Sequence, residues 1–198
     1  MARPQIALKD LRLATASLDP VVISRDLARF ARQAIADLQG SGEAPASYRR
    51  YVNGRPDLPE EQVVAPGPII YDLSWLPEIE VYCLSFGDSS RSPRRSGRYR
   101  RSFFSLVDGQ LRHQPGTPID PESELVIVND APYARRIEVG RKKDGRPFVV
   151  QVPPEIFLDM RQALLARFGN IVTASRRFVG LSGGSGTFPA LVISQRSS

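Results

Sequence analysis

Between Ser24 and Gly40, apolar residues return at Leu27, Phe30, Ala31, Ala34, Ile35 and Leu38. That three-to-four spacing predicts an amphipathic helix, with Ser24 as its N-cap and Gly40 as its stop. Residues 1–20 carry Ile6, Leu8, Leu11, Leu13 and Leu18 without a decided period and read as an N-terminal arm. Residues 41–68 are dense in Gly, Pro and charge and read as a long ordered loop. Ile69 to Leu73 predicts a strand. Leu76, Ile79, Cys83 and Phe86 then recur behind Pro77 and predict a helix over roughly 75–90, although EIEVYCLSF also alternates like a strand. Pro93 stops that helix, Ser96-Gly97 offers a turn, and Tyr99 to Val107 reads as a strand. Asp108-Gly109 signals a hairpin, and 113–123 a polar loop. Further strands are expected at 125–128, 135–139 and 148–152, with turns at 129–132 and 141–147. The last helix has clear boundaries: Pro153-Pro154 before it, Glu155 in its first turn, Ile156, Met160, Ala163, Leu164 and Phe168 on one face, and Gly169 after it. The end, FPALVISQ, is β-like.

These elements predict an α+β fold: a small, mainly antiparallel twisted sheet packed by two or three helices, with N- and C-terminal extensions. The organisation suggested is an arm at 1–20, one domain over 21–179, and a Gly-rich connector with a strand-like C-terminal arm over 180–198. Short apolar stretches in such arms can add a strand to a neighbour or pack on it.

Composition changes this picture in one respect. The chain of 198 residues carries a formal charge of +6, and lysine occurs only at Lys9, Lys142 and Lys143, so the rest of the 27 basic residues are arginine. Arginine forks suit carboxylate and phosphate partners and tolerate interfaces, although a bias in base composition would give the same excess. The densest cluster is RSPRRSGRYRRSFF, which holds Arg91, Arg94, Arg95, Arg98, Arg100 and Arg101; Arg141, Lys142 and Lys143 form a second basic turn. On chemistry alone the first cluster serves a protein interface and a nucleic-acid site equally. No apolar run suits a bilayer, and the start lacks a secretory signal, so a cytoplasmic protein, or a particle assembled in a cytoplasm, is expected.

Catalytic chemistry is thin. Cys83 is the one cysteine and His113 the one histidine, which supply neither a familiar zinc set nor a Ser-His-Asp spacing. Cys83 reads as a small buried hydrophobe and His113 as a solvated loop residue. GLSGGSGT at 180–187 lacks the lysine of a phosphate-binding loop and reads as a connector. Asp120, Glu122 and Glu124 are explained more simply as an acidic loop facing a neighbour's basic surface than as metal ligands. No catalytic residue, metal or cofactor is expected.

The order of elements, with Ser92-Pro93, Ser96-Gly97-Arg98-Tyr99 and VNDAPYARRIEVG over Val128 to Gly140, resembles the small neck or tail-completion proteins of tailed bacteriophages. Asn53-Gly54-Arg55, Pro66-Gly67 and Ile70-Tyr71 add to it, and the similarity spans about 50–170. Pro93 is followed by Arg94-Arg95, and Gly67 by Pro68, where that group favours an apolar residue and a second glycine. The resemblance implies a structural virion protein of the head–tail junction. Its partners would be copies of itself in a ring, a portal or head–tail adaptor, and a tail terminator or tail tube protein, with non-specific contact to packaged DNA and no membrane. Pro93, Gly97, Tyr99, Asn129, Pro132, Tyr133, Glu138 and Gly140 would determine the fold rather than act as a site. A basic nucleic-acid-binding protein is the alternative.

Overall fold

The computed structural model describes residues 19–87, 97–140, 155–181 and 186–196. Outside them lie the N-terminal arm up to residue 18, the corner residues Arg91, Pro93, Arg94 and Arg95, the basic turn with Arg141, Lys142 and Lys143, the strand expected at 148–152, and most of the Gly-rich connector. The fold is α+β, with two antiparallel sheets. It forms two compact units, one ending at Ser74 and one running from Trp75 to Ser197. That division falls inside the 21–179 stretch that the sequence suggests as one domain.

In the first unit, helix α1 spans Pro20–Gly40. It starts before the expected cap because Asp19 accepts a hydrogen bond from the Val21 N–H at 2.9 Å and Pro20 fills a first-turn position that needs no donor. Ser24 is therefore not the cap. Its hydroxyl donates to the Pro20 carbonyl and accepts from the Ala65 N–H, tying helix to loop. Residues 41–68 are not simply a loop. They hold strands β1 (Tyr48–Val52) and β2 (Arg55–Pro56) and a 3-10 turn at Glu60–Gln62, and β1 pairs antiparallel with both β2 and β3 (Ile69–Leu73). Asn53 and Gly54 both take left-handed backbone, φ 52° and 76°, as a two-residue hairpin turn requires. Val52 and Val63 pack on Ala28 of α1, with Leu27, Leu58 and Ile69 around them.

The second unit contains helix α2 (Leu76–Gly87), a helical turn α3 (Arg98–Arg101), strands β4 (Phe103–Val107), β5 (Gln110–Leu111) and β6 (Glu124–Asn129), helices α4 (Ala134–Val139) and α5 (Ile156–Phe168), and strands β7 (Val172–Gly180) and β8 (Thr187–Gln195). The strand order is β5-β4-β6-β8-β7, all antiparallel. Leu76, Ile79 and Cys83 of α2 and Phe157, Met160, Leu164 and Phe168 of α5 meet Leu125, Ile127, Leu191 and Ile193 of the sheet in one core. The apolar spacing that predicts both helices is the set of residues they bury.

Three expectations change here. Tyr99 does not begin a strand but lies on the turn α3, fully buried, and β4 starts only at Phe103. Residues 135–139 form a helix, because Ala134, Ile137 and Glu138 are buried at helical spacing while Val139 stays 55% exposed. The C-terminal segment is not an arm: β8 sits between β6 and β7, and Ala190 to Ile193 are buried. Its proline survives because Pro189 lies one residue past the last β6 pair, Val128 with Ala190, where no ladder donor is needed.

Candidate functional site

The two stretches that carry the resemblance meet in one place. Gly97 takes φ 67° and turns the chain into α3, and a Cβ there would lie 2.7 Å from a guanidinium nitrogen of Arg101. This drops Tyr99 into a cluster with Ala131, Ala134, Ile137 and Ile156, flanked by Phe103 and Tyr133. Tyr99 meets Phe103 edge-on at 5.4 Å and stacks with Tyr133 at 6.4 Å, while Phe103 stacks on Phe157 at 5.6 Å. Asn129 is buried and bridges the stretches: its amide donates to the Tyr99 carbonyl at 2.7 Å and its oxygen accepts from the Ala131 N–H at 3.0 Å. Pro132 and Tyr133 lead into α4, which Gly140 closes by donating its N–H to the Arg136 and Ile137 carbonyls.

Glu138 anchors α4 from below. Its carboxylate, fully buried, accepts from the Phe157 N–H at 3.1 Å and from Arg176 at 3.2 Å, and Arg176 also lies 4.0 Å from Glu155. Burial pushes the Glu138 carboxyl above the ordinary glutamate range, further than the Phe157 N–H and the Arg176 guanidinium pull it down. Burial and the Glu138 charge likewise raise the Tyr99 phenol, whose hydroxyl has no hydrogen-bond partner among the described residues. Of the eight motif residues, seven are thus placed here and only Pro93 lies outside the described residues.

The basic residues are less unified. Arg98 and Arg101 are exposed on α3 and Arg100 is half-buried. A second basic strip is not visible in the sequence pattern, which gives no strand signal over β7. Arg176 and Arg177 are exposed on that strand, and Arg135 of α4 lies over the Phe178 ring at 5.1 Å while donating to the Thr187 hydroxyl.

Other polar groups that a site would need are committed to the fold. Glu80, fully buried on α2, accepts from the Ser105 hydroxyl, the Gly116 N–H and Arg112, and Arg112 reaches on to Thr117. This clamps the 112–117 loop. In the first unit Glu60 accepts from both Arg50 and Tyr71. Burial raises the Glu60 carboxyl, but the bonds from Tyr71 and Arg50 and the Arg50 charge outweigh it and hold the group below its ordinary range. Cys83 is buried and its thiol is pushed up to about 12. His113 is exposed in its loop. Asp120, Glu122 and Glu124 are exposed beside the β4–β5 turn, where Asp108 accepts from the Ser123 hydroxyl and the Glu124 N–H. Among the described residues no group of three His, Cys, Asp or Glu could hold a metal ion, and no helix is long and apolar enough to cross a membrane. The chain matches no protein-family model, no curated protein and no solved structure.

Proposed function

We propose that this chain is a structural virion protein of the head–tail junction of a tailed bacteriophage, assembled in the host cytoplasm. Copies form a ring that joins the portal or its adaptor to the tail terminator or tail tube. The observation that carries this reading is the packing of the resemblance motifs on one another. Residues 97–103 and 129–140 are distant in sequence, yet Asn129, Tyr99, Tyr133 and Glu138 direct their rings and polar groups at each other and at α5. A motif whose buried amide and carboxylate are spent on internal hydrogen bonds serves shape, and shape is what a joining ring requires. Deleting the gene tests it. Lysates should hold filled or leaking heads alongside separate tails by electron microscopy, whereas intact infectious particles would defeat the reading.

A further inference from the structure

Among the described residues β7 is an outer strand of its sheet, and its outer edge is half sealed and half open. The Arg196 N–H bonds the Ile171 carbonyl across the β7–β8 ladder, so residues 171, 173, 175, 177 and 179 direct their backbone groups toward β8. The groups of Val172, Ala174, Arg176, Phe178 and Gly180 therefore point away from the sheet. The first two carbonyls are sealed by guanidinium groups: Arg196 donates to Val172 at 3.2 Å and Arg161 to Ala174 at 2.8 Å. No such side chain seals Arg176, Phe178 and Gly180 among the described residues, and all three are exposed, Phe178 by 39%. An exposed strand edge of this kind is a template for another strand.

The opposite edge of the same sheet differs in sign. The strand β5 is two residues long, and the Arg112 N–H bonds the Ser105 carbonyl, which leaves the backbone groups of Leu111 pointing outward. Leu111 is 51% exposed. At the β4–β5 turn that precedes it stand the exposed carboxylates Asp108, Glu122 and Glu124, and Asp108 is held below its ordinary range by the Glu124 N–H and the Ser123 hydroxyl. The one arginine of that edge, Arg112, is drawn inward to Glu80 and Thr117.

We infer that the sheet continues head to tail between copies of this chain, the open half of β7 in one copy lying beside β5 in the next, with Arg177 facing the neighbour's acidic corner. Pairing of β7 with β7 about a two-fold axis would instead bring the Arg176-Arg177 pairs of both copies into one short ladder with no carboxylate to meet them, and like charges on paired strands repel. Two different, complementary edges give a heterologous contact, which closes into a ring when the rotation between copies closes. This inference deepens the ring reading above and rests on it for its biological setting, while the interface itself is read in solution.

Sedimentation velocity on the full chain tests it, at about 50 mM and about 500 mM salt, because an interface selected by exposed charges is screened over that range. Concentration-dependent association at low salt and its loss at high salt are expected. Arg177→Glu should weaken association about tenfold or more, and so should the double variant Glu122→Arg with Glu124→Arg. Phe178→Pro should do the same without unfolding the protein, since the Phe178 N–H points outward and belongs to no internal ladder bond. Should Phe178→Pro fail to fold, the charge variants decide. Mixing Arg177→Glu with the double variant should restore association, because each supplies what the other lacks. A wild-type chain that stays monomeric at low salt, or a double variant that assembles as well as wild type, would overturn the interface. Assembly in solution by a protein absent from virions would leave the interface standing and remove the neck reading.

Discussion

Gly97 and Glu138 are the residues on which the motif node depends most. Gly97→Val should cost about 1–2 kcal/mol in thermal or chemical unfolding, from the left-handed backbone and the crowding against Arg101 together. Unchanged stability would show that the turn does not need glycine. Glu138→Ala should cost about 2 kcal/mol, since it leaves the Phe157 N–H buried without its acceptor. Glu60 and Glu138, both buried, respond to pH in opposite senses. Glu60 is depressed on folding, so its stabilisation is complete above the ordinary glutamate value near 4.3 and is lost as pH falls through the folded value. Glu138 is raised, so the fold favours its protonated form, and stability falls as pH rises from the ordinary range through the folded value. Carboxyl carbon NMR titration should find Glu60 moved down and Glu138 moved up, and the destabilisation by Glu60→Gln, about 1 kcal/mol near pH 7, should vanish in acid. Cys83 should resist thiol reagents until the protein unfolds, because burial keeps it protonated.

At the scale of elements, β8 is the keystone. It pairs with β6 over 124–128 and with β7 over 172–180, and Leu191 and Ile193 reach the main core. Leu191→Ala should cost about 2–5 kcal/mol. Removing 180–198 should abolish cooperative unfolding rather than trim an arm, with loss of the near-ultraviolet circular dichroism as the readout; a folded truncated protein would contradict the placement of β8. The helices α2 and α5 were legible because each buries a full stripe at helical spacing. The hairpin at Asp108-Gly109 was legible from its dipeptide. Asn53-Gly54 carried the same signal, but the prolines around it drew the whole 41–68 stretch into a loop. The segment 135–139 misled because Ile137 and Val139 mimic alternation, whereas tertiary contacts of Ala134 and Glu138 decide for helix. The strand β7 is not legible in the sequence because its exposed run, Arg176-Arg177-Phe178, breaks the apolar pattern that marks an inner strand. The motif residues themselves could be named from sequence, but their convergence on α5 and Arg176 could not, since it depends on contacts across 19 and 38 positions.

For the whole molecule, the proposed joining role asks for charge that selects a protein neighbour rather than charge that grips a nucleic acid. Part of the arginine excess lies on α3 and part along β7, and neither strip interleaves with a row of exposed aromatics on which bases could stack. DNA binding should accordingly be weak and sequence-blind and should collapse between about 50 and 200 mM salt, as a few arginine–phosphate contacts require. Fluorescence anisotropy with unrelated duplexes measures this, and selective, salt-resistant binding would favour a nucleic-acid-binding protein instead. The central claim concerns place in a particle. Immunogold labelling of purified phage particles with an antibody against the full chain tests it most directly: gold at the single vertex where head meets tail is the predicted result, and particles that carry no label there, or carry it over the capsid or along the tail, would contradict it.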